Sequence, residues 1–127
     1  MDCDNVSDAV YVVDDEEDAR LSIAAAFAGS LLNVHAFASA EEFVDQLHAA
    51  ASGCVLVSAD LPGMGARALI AEIGRRQLSL AVVVIDRKHD LAKAVDLVRA
   101  GAVDVLEHPL TKRRLQLIVR RALWVGA

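Results

Sequence analysis

Five side chains offer most of the chemistry in this sequence: Asp14, Asp15, Ser58, Asp86 and His108, each ending or directly following a short apolar run. Adjacent carboxylates such as Asp14 and Asp15 suit a hard divalent cation, which takes oxygen ligands and commonly one or two carboxylates. The plainer reading is that the pair ends its apolar run and, with Glu16, Glu17 and Asp18, favours the positive N-terminus of the helix that follows. Ser58 supplies a hydroxyl, which attacks only when a base activates it, and no such base is evident. Asp86 and His108 are expected at neighbouring strand ends. As an ion pair they would raise the His108 pKa and hold a fixed or pH-sensitive conformation. The plainer and preferred reading is two solvated loop residues. His35, His48 and His89 lack ligand spacing and read as strand, helix-surface and loop residues.

These positions need a scaffold, and the apolar pattern supplies one. Short β-branched runs alternate with helical stretches. Ala9 to Val13 leads to a helix from Asp18 to Gly29. Val34 to Phe37 leads to a helix from Ala40 to Ala50, with Ser39 and Glu42 at capping-box spacing. Cys54 to Ser58 precedes a turn at Leu61-Pro62-Gly63-Met64-Gly65 and a helix from about Arg67 to Arg76. Leu80 to Ile85 precedes a helix from Leu91 to Ala100 that Gly101 closes. Val103 to Leu106 is followed by Glu107-His108-Pro109, after which Thr111 can cap a last helix reaching about Trp124. Strands apolar on both faces, alternating with helices, predict a doubly wound α/β fold with a five-stranded parallel sheet. Such sheets gather functional groups in the loops beyond the carboxyl ends of the strands.

The 127 residues suit one domain, spanning 1–127 with a core of about 9–124. At 55% hydrophobic content, rich in alanine, no apolar run approaches the roughly 20 residues that span a bilayer. The polar start Met1-Asp2-Cys3-Asp4-Asn5 lacks the features of a secretory signal, so a cytoplasmic location is expected. Cys54 reads as buried in a strand and Cys3 as part of a polar tail, so no bridge between them is expected. A net charge of −5 argues against nucleic-acid binding by this domain, because phosphate contacts come chiefly from Lys and Arg.

Three segments, VYVVDDEEDAR (Val10 to Arg20), LPGMGARALI (Leu61 to Ile70) and AGAVDVLEHPL (Ala100 to Leu110), resemble the response-regulator receivers of bacterial two-component systems. The resemblance is closest to the subgroup usually joined to a LuxR-type DNA-binding domain. It covers roughly residues 9 to 124 and implies the flavodoxin-like (βα)5 fold with strand order 2-1-3-4-5. It further implies Mg²⁺ on the first acidic pair, a phosphoryl-accepting Asp ending strand 3, a Thr or Ser after strand 4 and a Lys after strand 5. Counted from the matching motifs, Ser58 stands at the acceptor position, Asp86 at the Thr/Ser position, His108 at the Lys position and Val105 at the aromatic switch position. Asp14 and Asp15 match. The resemblance also implies a cis bond before Pro109 and pairing of copies through the fourth and fifth helices.

The substitutions bear on mechanism. Asp86 would repel a phosphoryl group where a Thr hydroxyl would donate to it, and loss of the acceptor carboxylate weakens any Mg²⁺ site. The leading expectation is a degenerate receiver, not an enzyme, requiring no cofactor. It would signal by contact with a histidine kinase or a downstream protein, without nucleic acid or membrane. The runner-up is a phosphorelay regulator with a displaced acceptor, Asp60, and Mg²⁺ on Asp14 and Asp15. A small-ligand binder at the loop crevice ranks third, since no Gly-rich phosphate loop supports it. For contact, Lys112, Arg113, Leu117, Arg120, Arg121 and Trp124 form a basic, partly apolar face on the last helix, while Leu115, Ile118, Val119 and Ala122 face inward. A solvated basic stripe is the commoner reading of such a face. Helix 1, with Leu21, Ile23 and Phe27 among alanines, offers either a docking face or simply helix propensity.

Overall fold

The computed structural model describes residues 8–126, so the expectation for Cys3 lies outside the described residues. Five strands alternate with five helices: β1 Ala9–Val13, α1 Glu17–Ala26, β2 Asn33–Phe37, α2 Ala40–Asp45, β3 Ser52–Ser58, α3 Ala66–Arg75, β4 Ser79–Asp86, α4 Leu91–Ala100, β5 Asp104–Glu107 and α5 Lys112–Gly126. All strand pairs are parallel, and the sheet order is β2-β1-β3-β4-β5, as expected.

The central strands are apolar on both faces because both are covered. On one face Val10, Val12, Cys54, Leu56, Val83 and Ile85 pack with Ile23 of α1 and Leu115, Val119 and Leu123 of α5. On the other, Val13, Val55, Val57, Val82 and Val84 meet Phe43 of α2, Leu69, Ile70 and Ile73 of α3 and Leu97 of α4. Burial of some thirty apolar side chains in this way, each contributing about 1.5–3 kcal/mol for a fully buried large aliphatic or aromatic, is the main force holding the layers together. Cys54 lies within the first face, where burial pushes its thiol pKa up to about 12.

Several local signals act as expected. Ser39 Oγ accepts from Glu42 N at 3.1 Å, Thr111 Oγ1 accepts from Arg114 N at 3.1 Å, Gly101 closes α4 at φ 131°, and the His108–Pro109 bond is cis. Two helices are shorter than expected. α1 stops at Ala26 because its last bonds tighten to the preceding turn, Ala28 N to Ala25 O and Ser30 N to Phe27 O, and Gly29 then leaves at φ 83°. α2 stops at Asp45 and not Ala50. β3 begins at Ser52, two residues before the expected Cys54, so a helix running to Ala50 would leave no chain to reverse direction. His48 therefore lies in the connection and not on a helix surface. That early start of β3 depends on Gly53, whose φ is 138° and where an added Cβ would sit 2.4 Å from Ala9 O.

Candidate functional site

Parallel register aligns the carboxyl ends of the strands. Val13 pairs with Val57, Ser58 with Ile85 and Asp86 with Glu107. Backbone bonds carry the alignment past the strands: Asp14 N to Phe37 O (3.1 Å), Ala59 N to Ile85 O (3.0 Å) and His108 N to Asp86 O (3.2 Å). Asp14, Ser58, Asp86 and His108 are thus brought to one edge of the sheet, where the first three are buried.

Asp14 is the best-connected of them. Its Oδ1 accepts from Glu16 N at 3.0 Å and its carbonyl from Arg20 Nη1 at 2.8 Å. Its Oδ2 accepts from Arg87 Nη2 at 2.6 Å, across 73 positions of sequence. The same guanidinium places Nη1 3.4 Å from Glu16 Oε1 and donates from Nε to His108 Nε2 at 3.2 Å. Arg87 is thereby the hub of the site. Asp15, by contrast, is exposed, and no hydrogen bond or ion pair engages its side chain among the described residues.

Neither expectation for Asp86 and His108 holds. The Asp86 carboxylate is buried and turned back on its own loop, accepting from Lys88 N and Asp90 N at 3.0 Å each. An acidic residue that satisfies two amides of a tight turn has no need of a cationic partner. His108 is half-buried and accepts from Arg87, which requires a neutral ring at Nε2. Its pKa is lowered, not raised: burial is the main cause, followed by the Arg87 charge, and both outweigh Asp14 and Asp86.

Ser58 ends β3 with its hydroxyl accepting from Asp60 N at 3.2 Å. Asp60 faces a different set of charges: Lys93 Nζ of α4 at 2.9 Å and Lys88 Nζ at 4.0 Å. The Lys93 contact is the main cause that holds the Asp60 carboxyl below its ordinary range. Val105 is half-buried in β5. Beside Arg87 and His108 a cleft of about 420 Å³ opens over Ile23, Pro109 and Leu110.

The arrangement does not fit Mg²⁺. Both Asp14 oxygens are engaged, one by a full positive charge, and Ser58 offers a hydroxyl where a second carboxylate would serve. Among the described residues no three His, Cys, Asp or Glu side chains converge in a way that could hold a metal ion, whereas a hard cation of this size demands near-octahedral oxygen ligation.

The contact face expected on α5 is exposed at Lys112, Arg113, Leu117, Arg120, Arg121 and Trp124, while Leu115, Val119 and Ala122 are buried and Ile118 is half-buried. Arg114 is not part of this face, since it donates to the carbonyls of Glu107 and Pro109. On α1, Ile23 faces the core and Leu21 is 62% exposed. Sequence reasoning passed over three things: Arg87, the Lys93–Asp60 contact and an exposed apolar stripe of Leu91, Val95 and Val98 on α4. The signal for Arg87 was its place directly after a strand end on the functional edge.

A doubly wound parallel sheet in the order β2-β1-β3-β4-β5, with a buried acidic residue at the carboxyl end of its first strand, has the architecture of a receiver-type domain. The response regulator receiver domain family matches residues 10–120, and the chain belongs to that family of two-component signalling domains. It is 32% identical over 114 residues to the transcriptional regulatory protein FixJ of Azorhizobium caulinodans, covering 90% of this chain and 54% of that one. It is 31% identical to the DNA-binding transcriptional regulator NtrC of Escherichia coli K12, covering 90% of this chain and 24% of that one. Among solved structures, full-length FixJ from B. japonicum superposes with a TM-score of 0.87 at 26% identity, over 95% of this chain and 60% of that one. The receiver domain of NtrX from Brucella abortus gives 0.83 at 30% identity, over 91% and 98%. The chain therefore spans about half the length of the FixJ relative. No helix among the described residues is long and apolar enough to cross a membrane.

Proposed function

We propose that this chain is an atypical receiver that transmits its signal by protein–protein contact without aspartyl phosphorylation, and that it is not an enzyme. The observation that carries the reading is the pairing of Arg87 with Asp14 beside a strand end that presents Ser58 in place of a carboxylate. Phosphoryl transfer to a receiver needs an ionised acceptor and a cation to gather charge on the phosphoryl oxygens. Here the acceptor position holds an unactivated hydroxyl, the Thr/Ser position holds a carboxylate committed to its own turn, and the Lys position holds a neutral imidazole. The partner is a histidine kinase or a downstream signalling protein in the cytoplasm, not nucleic acid or a membrane. The exposed basic face of α5 and the apolar stripe of α4 are the surfaces available to that protein or to a second copy of the chain.

Asp60 is disfavoured as a displaced acceptor. Its carboxylate is ionised but tied to Lys93 and Lys88, while Asp14 is tied to Arg87.

The test is incubation with a small phosphoryl donor and Mg²⁺, followed by intact mass, on the parent and on Asp60→Asn. No adduct on either protein is expected. A base-labile adduct on the parent that disappears in Asp60→Asn would replace this reading with that of a working phospho-switch.

A further inference from the structure

We propose that Arg87 is a resident counter-ion: its guanidinium stands at Asp14 where a divalent cation would have to bind, and it clamps the loop after β4 to the ends of β1 and β5 without any ligand. The inference rests on the phosphorylation-independent reading above and extends it to what holds the site together.

Three nitrogens of one side chain address three groups from two other segments of the fold. Nη2 meets Asp14 Oδ2 at 2.6 Å, Nη1 lies 3.4 Å from Glu16 Oε1, and Nε donates to His108 Nε2 at 3.2 Å. The planar fork of arginine suits this division, whereas the point charge of lysine would serve one acceptor at a time. The Asp14 side chain is only 2% exposed and that of Arg87 23%, so the carboxylate is removed from water and needs its counter-charge. The guanidinium satisfies that need with a single charge and fixed directions. A divalent cation would have to expel it, strip Glu16 and His108 of a partner, and recruit further oxygens, although Asp15 stands exposed and Ser58 carries no charge. The loop itself is prepared for this role. Asp86 caps the turn through Lys88 N and Asp90 N, and His89 follows at φ 53° with its Nδ1 3.3 Å from Glu107 Oε2. Arg87 thus leaves β4 on a short, internally bonded connection that aims it across the sheet edge.

Two measurements on the whole chain test the proposal. The first uses the unaltered protein: the Arg87 Nε–H, followed by ¹⁵N-edited NMR near neutral pH, should exchange with water at least tenfold more slowly than the corresponding groups of the exposed Arg113 and Arg120. Exchange as fast as theirs would overturn the clamp. The second is a Mn²⁺ titration of the parent, Arg87→Gln and Arg87→Gln/Asp14→Asn, read by water-proton relaxation, with circular dichroism showing that each is folded. Arg87→Gln should bind Mn²⁺ at least tenfold more tightly than the parent, and the second substitution should abolish the gain. Binding by the parent as tight as by Arg87→Gln, or a folded Arg87→Gln that gains nothing, refutes displacement of the cation by Arg87. Failure here is distinct from failure of the functional reading: a parent that binds Mn²⁺ yet takes no phosphoryl group loses only the counter-ion, whereas a phosphoryl adduct on the parent overturns the reading itself.

Discussion

The Asp14–Arg87 contact allows a quantitative test by a double-mutant cycle. Unit charges 4 Å apart attract by about 4 kcal/mol at an effective dielectric of about 20, and the observed 2.6 Å contact is closer than that. Desolvation of a carboxylate this deeply buried offsets much of the gain, and hydrogen bonds to charged groups contribute a net ~1.5–3 kcal/mol. The two substitutions should not be equal. Arg87→Gln leaves a buried carboxylate unpaired, which should cost about 3 kcal/mol, at the lower end for a broken buried pair. Asp14→Asn keeps hydrogen-bonding capacity for Glu16 N and leaves Arg87 with Glu16 and partial solvent access, so its cost should be nearer 2 kcal/mol. The double variant removes both charges and should be no less stable than Arg87→Gln alone, which corresponds to a coupling of about 2 kcal/mol. Urea denaturation followed by far-UV circular dichroism on all four proteins measures each corner. The coupling should persist when salt is raised severalfold, because a buried pair is screened far less than a surface one. Additive single effects, within about 0.5 kcal/mol, would show that the contact is incidental and would remove the basis for treating Arg87 as the hub of the site.

Three further outcomes follow from other features. His108 has its pKa lowered below the ordinary 6.5, so as pH falls the unfolded chain takes up the proton first; the His108 contribution is intact above 6.5, is lost between that value and the lower folded one, and is flat below. Melting temperatures of the parent and His108→Gln, taken from about pH 7.5 to about pH 5, should therefore diverge with the parent losing more, and parallel curves would refute the assignment. Gly53→Ala forces a side chain into φ 138° and against Ala9 O at 2.4 Å, and should cost at least about 3 kcal/mol, the upper range for local backbone strain. Gly74→Ala, in α3 with open space around it, should instead stabilise by ~0.4–1 kcal/mol; unchanged stability in Gly53→Ala would mean that the start of β3 can shift.

The elements were legible because each was announced locally: runs such as Cys54 to Ser58, the Ser39 and Thr111 caps, and the glycine after Ala100 are signals within a few residues of what they specify. Errors fell at chain reversals. Nothing in the stretch from Gln46 to Ala51 shows that β3 will claim Ser52 and Gly53, since that depends on pairing with Leu80 and on the backbone of Ala9. The site was legible as a set of positions, because parallel register delivers the ends of β1, β3, β4 and β5 to one edge whatever residues stand there. Its electrostatics were not. The ion-pair alternative joined His108 to Asp86, one strand away, and it neglected the tight turn after β4, in which a carboxylate serves its own amides at Lys88 and Asp90. It also neglected the reach of the next residue, since an arginine stem can cross from one strand end to another while a register argument counts only the strand ends themselves. Arg87, Lys88 and His89 all contact charged groups outside their own loop, namely Asp14 and Glu16, Asp60, and Glu107. The connection between β4 and α4 is therefore held from three sides by side chains that local spacing cannot pair. Those contacts fix where α4 begins, and with it the placing of its exposed Leu91, Val95 and Val98.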